Sequence, residues 1–103
     1  MRICVDRAGL VGQDGATHHG AFDISYLRII PNMAIFLPRD IIELEEMMDL
    51  SLDWDGQVAI RYARGASVCH ELPRKPLVAG EAEVIVDEGK YAIVSAGHIF
   101  DEA

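Results

Sequence analysis

Residues Met33 to Leu37 read MAIFL, five apolar residues in a row. A strand with one wet face alternates apolar and polar side chains. An unbroken apolar run therefore fits a strand covered on both faces, as in a parallel sheet with helices above and below. The flanking segments agree. Upstream, RICVD (2–6) is a short β-branched run ending at Asp6, and AFDISYLRII (21–30) repeats apolar residues at Phe22, Tyr26 and Ile29 or Ile30, a helical spacing. Pro31 stops that helix by removing a donor and restricting the residue before it. Downstream, PRDIIELEEMMDLSLDWDG (38–56) is the clearest helix. Asp40 is placed to cap its amino terminus, with Glu43 three residues later in an Asp version of the capping box. Ile41, Leu44, Met48 and Leu52 make one apolar stripe, and Gly56 marks the end. QVAIRYARG (57–65) follows as a third strand. This order of strands and helices predicts an α/β fold, a partial parallel sheet with right-handed helical crossovers.

The pattern then breaks. ELPRKPLVAGEA carries Pro73 and Pro76 and reads as an extended linker, and AEVIVDEGKYAIVSAG predicts two strands around DEGK, the short start of a second α/β domain. The predicted division is 1–72, linker 73–80, and 81–103. At 103 residues the chain is one domain at most. The first strand has nothing before it and the second unit has barely begun, so a fragment or one part of a split protein is expected.

Composition narrows the function. A net charge of −8 argues against nucleic-acid or anionic-membrane partners, which favour basic surfaces. The apolar runs are far shorter than the ~20 residues a spanning helix needs. The charged DRAG follows Met1 too soon for an apolar targeting segment, which leads to a cytoplasmic expectation. Cys4 and Cys69 lie in apolar, strand-like surroundings without Cys-x-x-Cys spacing and are expected to be reduced, buried thiols.

The most polar stretch is DRAGLVGQDGATHHGAFD (6–23), a long glycine-rich loop that follows the first strand directly. In an open parallel sheet, ligands bind beyond the carboxyl ends of the strands. Asp6 and Arg7 leave the end of strand one, and Arg64 with Gly65 leaves the end of strand three. Two arginines and two histidines at one sheet edge suit a phosphate or carboxylate, held by bidentate guanidinium forks. A histidine beside them can donate a hydrogen bond or move a proton near neutral pH. Alternatively, Arg7 pairs with Asp6 or Asp14 on the surface, a contact worth about 0–1 kcal/mol, and His18 and His19 have no ligand. A metal site is disfavoured, because Asp14 is the only nearby carboxylate and no cysteine joins it. Neither glycine-rich nucleotide-binding motif occurs.

The segment DRAGLVGQDGATHHGAFDISYLRIIPNM (6–33) strongly resembles the 1-deoxy-D-xylulose-5-phosphate synthases, thiamine-diphosphate enzymes of the transketolase type. The family pattern Asp-Arg-Ala-Gly-Leu-Val-Gly-x-Asp-Gly-x-Thr-His-x-Gly-x-Phe-Asp, then Tyr-Leu-Arg and Ile-Pro-Asn-Met, is matched at every fixed position. DGQVAIRYARG (55–65) is similar to a later family motif, with Ala63 in place of proline, and GEAEVIVDEGKYAIVSAG (80–97) resembles the start of the family's carboxy-terminal domain.

The resemblance implies the second half of a transketolase-like pyrimidine-binding domain, with the polar loop at its active site. It also implies that Arg7 and Arg64 grip the phosphate of glyceraldehyde 3-phosphate. His18 would hydrogen-bond the acceptor or intermediate and assist proton movement, and Asp14 would orient the loop. Arg64 is preferred to Arg61 because it lies at the strand's exit, and Asp23 and Tyr26 are assigned to the scaffold. The family's activating glutamate and its diphosphate-and-magnesium domain match nothing in this chain. Thiamine diphosphate and Mg2+ are thus expected in the full-length enzyme but not on this chain alone, which is expected to be inactive. The implied partners are pyruvate and glyceraldehyde 3-phosphate in the parent enzyme, plus self-association or a complementary amino-terminal half, since half a sheet leaves an unpaired edge. A split-enzyme subunit and a stand-alone sugar-phosphate-binding module are the alternatives.

Overall fold

The computed structural model describes residues 1–66 and 69–103. Three strands, β1 (Arg2–Val5), β2 (Met33–Phe36) and β3 (Gln57–Arg61), form a parallel sheet in the order β1-β3-β2. Ile3 aligns with Ala59 on one side of β3, and Ile35 aligns with the same Ala59 on the other. β3 is thus the central strand, and its consecutive Val58, Ala59 and Ile60, whose side chains alternate between the two faces, are all buried, unlike the MAIFL segment. Among the described residues β2 has a neighbouring strand on one side only, and all four of its residues are part-buried.

Because the strands are parallel, the chain leaves β1 and β3 at the same edge. Hydrogen bonds carry their pairing past the strands proper: Tyr62 N donates to Val5 O at 3.0 Å, and Ala8 N donates to Tyr62 O at 2.9 Å. This extension fixes Arg7 beside the segment leading to Arg64.

Helix α1 is shorter than its apolar spacing suggests, running from Asp23 to Leu27. Phe22, Tyr26 and Ile29 point outward, and the inward side chains are Leu27 and the carboxylate of Asp23. Asp23 is drawn in by Arg61 on β3, whose Nε donates to Oδ2 at 2.6 Å. The ion pair, and not the apolar periodicity, sets the face that α1 presents.

Helix α2 spans Ile41–Asp53 and begins at the expected cap, with Glu43 N donating to Asp40 Oδ1 at 2.9 Å. Glu43 returns a carboxylate oxygen to the backbone N–H of Arg39 at 2.6 Å, one residue before the cap. The expected stripe is only partly the packed face. Ile41, Met48 and Leu52 are exposed, whereas Leu44 and Met47 are half-buried and Ser51 is fully buried. Ser51 fits there because its hydroxyl donates back to Met48 O at 2.7 Å. The helix ends at Asp53 with Trp54 as its cap, so Gly56 does not end it. Gly56, at φ +131°, instead turns the chain into β3.

The two strands expected around DEGK are not formed, and residues 83–96 contain no strand. Val84, Val86, Tyr91, Ile93 and Val94 are exposed there, and no neighbouring sheet offers them a face to cover. The segment after the sheet instead docks at the amino end of α2. Arg74 pairs with Asp40, Arg39 Nη2 lies 2.8 Å from Glu83, and His70 Nε2 lies 2.6 Å from Asp101. The Arg39 guanidinium also sits 5.3 Å from the ring centre of Phe100, in a 3-10 turn over Gly97–Glu102. Cys4 and Cys69 are free thiols but exposed, contrary to the buried expectation: among the described residues no strand pairs with the outer side of β1, and Cys69 lies in a loop. No described helix is long and apolar enough to cross a membrane.

Candidate functional site

The polar loop is closed at its base by one glycine. Gly20 N donates to Gly9 O at 2.9 Å and is within 3.1 Å of Arg7 O, while Gly9 N donates to Gly20 O at 3.3 Å. A β-carbon on Gly20 would stand 2.5 Å from Arg7 O, so only glycine permits this approach. Between these ends the loop folds into two 3-10 turns, Gly12–Asp14 and Ala16–His18.

Arg7 itself lies in the left-handed region, at φ +57°. That backbone is costly for a residue with a side chain and persists only where the surroundings impose it. Here they do, since the residues on either side are held by the extended strand pairing and by Gly20. The conformation turns the guanidinium toward the loop, where Nε donates to Asp14 Oδ2 at 2.8 Å and Nη1 to Asp6 Oδ2 at 2.7 Å.

Asp14 also accepts a hydrogen bond from Arg64 Nη1 through its other oxygen, Oδ1. Two guanidiniums from two strand exits thus converge on one carboxylate. The hydrogen bond from Arg7 holds the Asp14 carboxyl below its ordinary range. Desolvation opposes it, and the charges of Arg64, Arg7 and His18 add to the lowering. The same hydrogen bond raises Arg7, with the charges of Asp6 and Asp14 in support.

The surface pairing weighed for Arg7 is therefore present, with both aspartates at once. His18 is exposed, with Nδ1 3.2 Å from Thr17 Oγ1. Its neighbour His19 is turned inward, with Nδ1 accepting from Val11 N at 2.9 Å, and braces the loop. Arg61 is committed elsewhere, donating to Asp23 and, at 3.0 Å, to Gly20 O.

Two clefts meet at Arg64 and Gly65. One, of about 460 Å³, is lined by Leu10 to Gln13 with Arg64 and Gly65. The second, of about 300 Å³, lies between the β3 exit and the amino end of α2, and Arg39, Arg64 and His98 are among its walls. Among the described residues, no group of three or more His, Cys, Asp or Glu side chains could hold a metal ion.

Residues 1–68 match the family described as transketolase, pyrimidine binding domain. The chain belongs to that family. Within it, the chain is similar to proteins named 1-deoxy-D-xylulose-5-phosphate synthase. It is 48% identical over 102 residues to the one from Caldanaerobacter subterraneus subsp. tengcongensis, covering 98% of this chain and 16% of that protein. It is 44% identical over 101 residues to the one from Clostridium tetani, covering 98% and 16%. Against the Carboxydothermus hydrogenoformans protein it is 48% identical over 96 residues, covering 92% and 15%. The chain thus spans about one-sixth of the length of these relatives, and the three-stranded parallel sheet agrees with a pyrimidine-domain fold.

Of the residues singled out in the sequence, Arg7, Asp14 and Arg64 are brought together, while His18 stays exposed on the adjacent turn. The walls of the second cleft come from residues far apart in the chain, among them Asp40, Arg64 and His98. Arg39 and His98 carried no local signal of this role.

Proposed function

We propose that this chain is the acceptor-phosphate part of a 1-deoxy-D-xylulose-5-phosphate synthase, a cytoplasmic enzyme that condenses pyruvate with glyceraldehyde 3-phosphate and releases carbon dioxide. The observation that carries this reading is the convergence of Arg7 and Arg64 on Asp14 at the carboxyl edge of a parallel sheet. Two guanidiniums set around one carboxylate are already spaced for an oxyanion, and a phosphate presents the same acceptor geometry with more charge.

In this role Arg7 and Arg64 donate to the phosphate oxygens, and Asp14 keeps the two guanidiniums in register before the substrate arrives. His18, on the adjacent turn, donates to the acceptor's hydroxyl and supplies the proton that the aldehyde oxygen takes up as the new carbon–carbon bond forms. Pyruvate activation in this enzyme class uses thiamine diphosphate with Mg2+. The donor set of the described residues does not fit that metal, so no step through the cofactor is assigned to this chain. On this reading the isolated chain, which spans about one-sixth of its relatives' length, is expected to be inactive. Residues 73–80 would join the pyrimidine-domain part to a second domain. Among the described residues the outer edges of β1 and β2 carry no strand, which supports pairing with a complementary half or a second copy.

A chimera tests the reading. Residues 1–68 of this chain replace their counterpart in the Caldanaerobacter enzyme. Pyruvate- and glyceraldehyde-3-phosphate-dependent release of carbon dioxide is expected from the chimera and not from the 103-residue chain. A folded, cofactor-loaded chimera without turnover would contradict the reading, and turnover by the isolated chain would remove the claim of inactivity.

A further inference from the structure

The second cleft contains a histidine with no assigned task. The other three histidine rings are engaged: His18 with Thr17, His19 with the Val11 N–H, and His70 with Asp101. No hydrogen bond or ion pair engages the ring of His98 among the described residues. It stands on the 3-10 turn Gly97–Glu102 and lines the same cleft as Arg64.

The placement of that ring is set from two sides. Gly97, at φ +74°, packs near Leu37 and Pro38 and fixes the start of the turn. Across the cleft, the ring lies against Gly9, where a β-carbon would come within 3.2 Å of His98 Cε1. Gly9 is the residue whose backbone closes the polar loop with Gly20. The imidazole therefore touches the base of the loop that carries Arg7 and Asp14.

The charged groups around the cleft are mostly spoken for. Both oxygens of Asp40 take hydrogen bonds, from Glu43 N and from Arg74, and its side chain is fully buried. Asp101 is held by His70, and Arg39 by Glu43 and Glu83. Tyr62 completes the titratable lining. Arg64, with its remaining guanidinium N–H groups, the His98 ring and the Tyr62 hydroxyl are then the side-chain donors that line the cleft, and of these His98 is the one carried by the segment after residue 68.

We propose that His98 is a further anion-contacting residue of the acceptor site. Its ring N–H donates to the oxyanion that Arg64 holds, so that the turn Gly97–Glu102 and the polar loop close on one ligand. This rests on the proposed acceptor-phosphate role. It extends the site into the segment beyond residue 68, which the pyrimidine-domain match does not reach.

The test is a titration of the full 103-residue chain with inorganic phosphate, followed through the histidine Cε1–H proton resonances. The resonance that disappears in His98→Gln identifies His98. It is expected to move with the same saturation curve as the Arg64 side-chain N–H. His98→Ala should weaken phosphate binding about 3- to 10-fold, the worth of one hydrogen bond, while His98→Gln, which keeps a donor, should recover part of the loss. Arg64→Ala separates this inference from the reading beneath it. If Arg64→Ala abolishes binding while His98→Ala leaves affinity and the His98 resonance unchanged, the role of His98 is overturned and the acceptor-phosphate reading stands. If phosphate moves no resonance in the starting chain, both fall.

Discussion

Asp14 and Arg64 are fifty positions apart, yet the carboxylate of one accepts a hydrogen bond from the guanidinium of the other. That pair joins the loop after β1 to the exit of β3, and Arg7 completes it from the opposite oxygen. The same three side chains tie the polar loop to the sheet and, on the function proposed above, form the site for an anion.

The tie should be sensitive to acid, with a definite sign. Asp14 titrates below its ordinary range in the folded chain because Arg7 donates to it. Its contribution is therefore fully present above the ordinary carboxylate pKa and lost as pH falls through the lowered folded value. Amide resonances of Gly12 and Gly15 followed against pH should show the loop releasing below the usual aspartate range. Release at the ordinary aspartate pKa would show that the tie does not form in solution.

Arg61 and Arg64 should separate stability from binding. Arg61→Ala strands the buried Asp23 carboxylate, which is 2% exposed, and is expected to cost about 3–5 kcal/mol. Arg64→Ala breaks a pair whose arginine is half-exposed and should cost no more than about 1 kcal/mol. Urea denaturation of the two variants measures both. Equal losses would mean that the pairs are not differently buried.

The loop's closure should depend on one glycine. Gly20→Ala places a β-carbon against Arg7 O and should destabilise the chain by about 1–3 kcal/mol, whereas Gly12→Ala, with nothing within 4 Å, should stay within about 0.5 kcal/mol of the starting chain. Thermal unfolding monitored by circular dichroism gives both values.

Much of this was written locally, and what was not has a common cause. The α2 cap was legible because Asp40 and Glu43 are three residues apart and their contacts are short-range. The pairing of Arg7 with Asp14 was legible because one contiguous loop carries both. The α1 face was misjudged since Asp23 is pulled inward by Arg61, thirty-eight positions away, a pairing that apolar periodicity does not encode. The predicted strands near DEGK needed a sheet to pair with, and the buried Ser51 stood at a polar position where an apolar stripe was expected to run elsewhere. The second cleft brings His98 and Asp101 to the walls formed by the β3 exit and the start of α2, a juxtaposition that no spacing announces.

Asp40 should matter more than an ordinary cap. Burial alone would raise its carboxyl, but the hydrogen bonds from Arg74, Glu43 N and His70 N hold it below the usual range. Asp40→Ala removes the cap and releases Arg74 together, so its cost should exceed the roughly 1 kcal/mol typical of a lost cap. Limited proteolysis should then cut within 71–96 faster than in the starting chain. An Asp40→Asn variant, which keeps the cap but not the charge, should fall between the two.

The central claim is that Arg7 and Arg64 exist to hold the acceptor's phosphate. Its most direct measurement is the pair of KM values in the active chimera with and without Arg64→Ala. The account predicts that KM for glyceraldehyde 3-phosphate rises about 10- to 100-fold, the worth of a charge-assisted hydrogen bond, while KM for pyruvate changes less than about 2-fold. An unchanged KM for glyceraldehyde 3-phosphate, or an equal rise in both values, would contradict it.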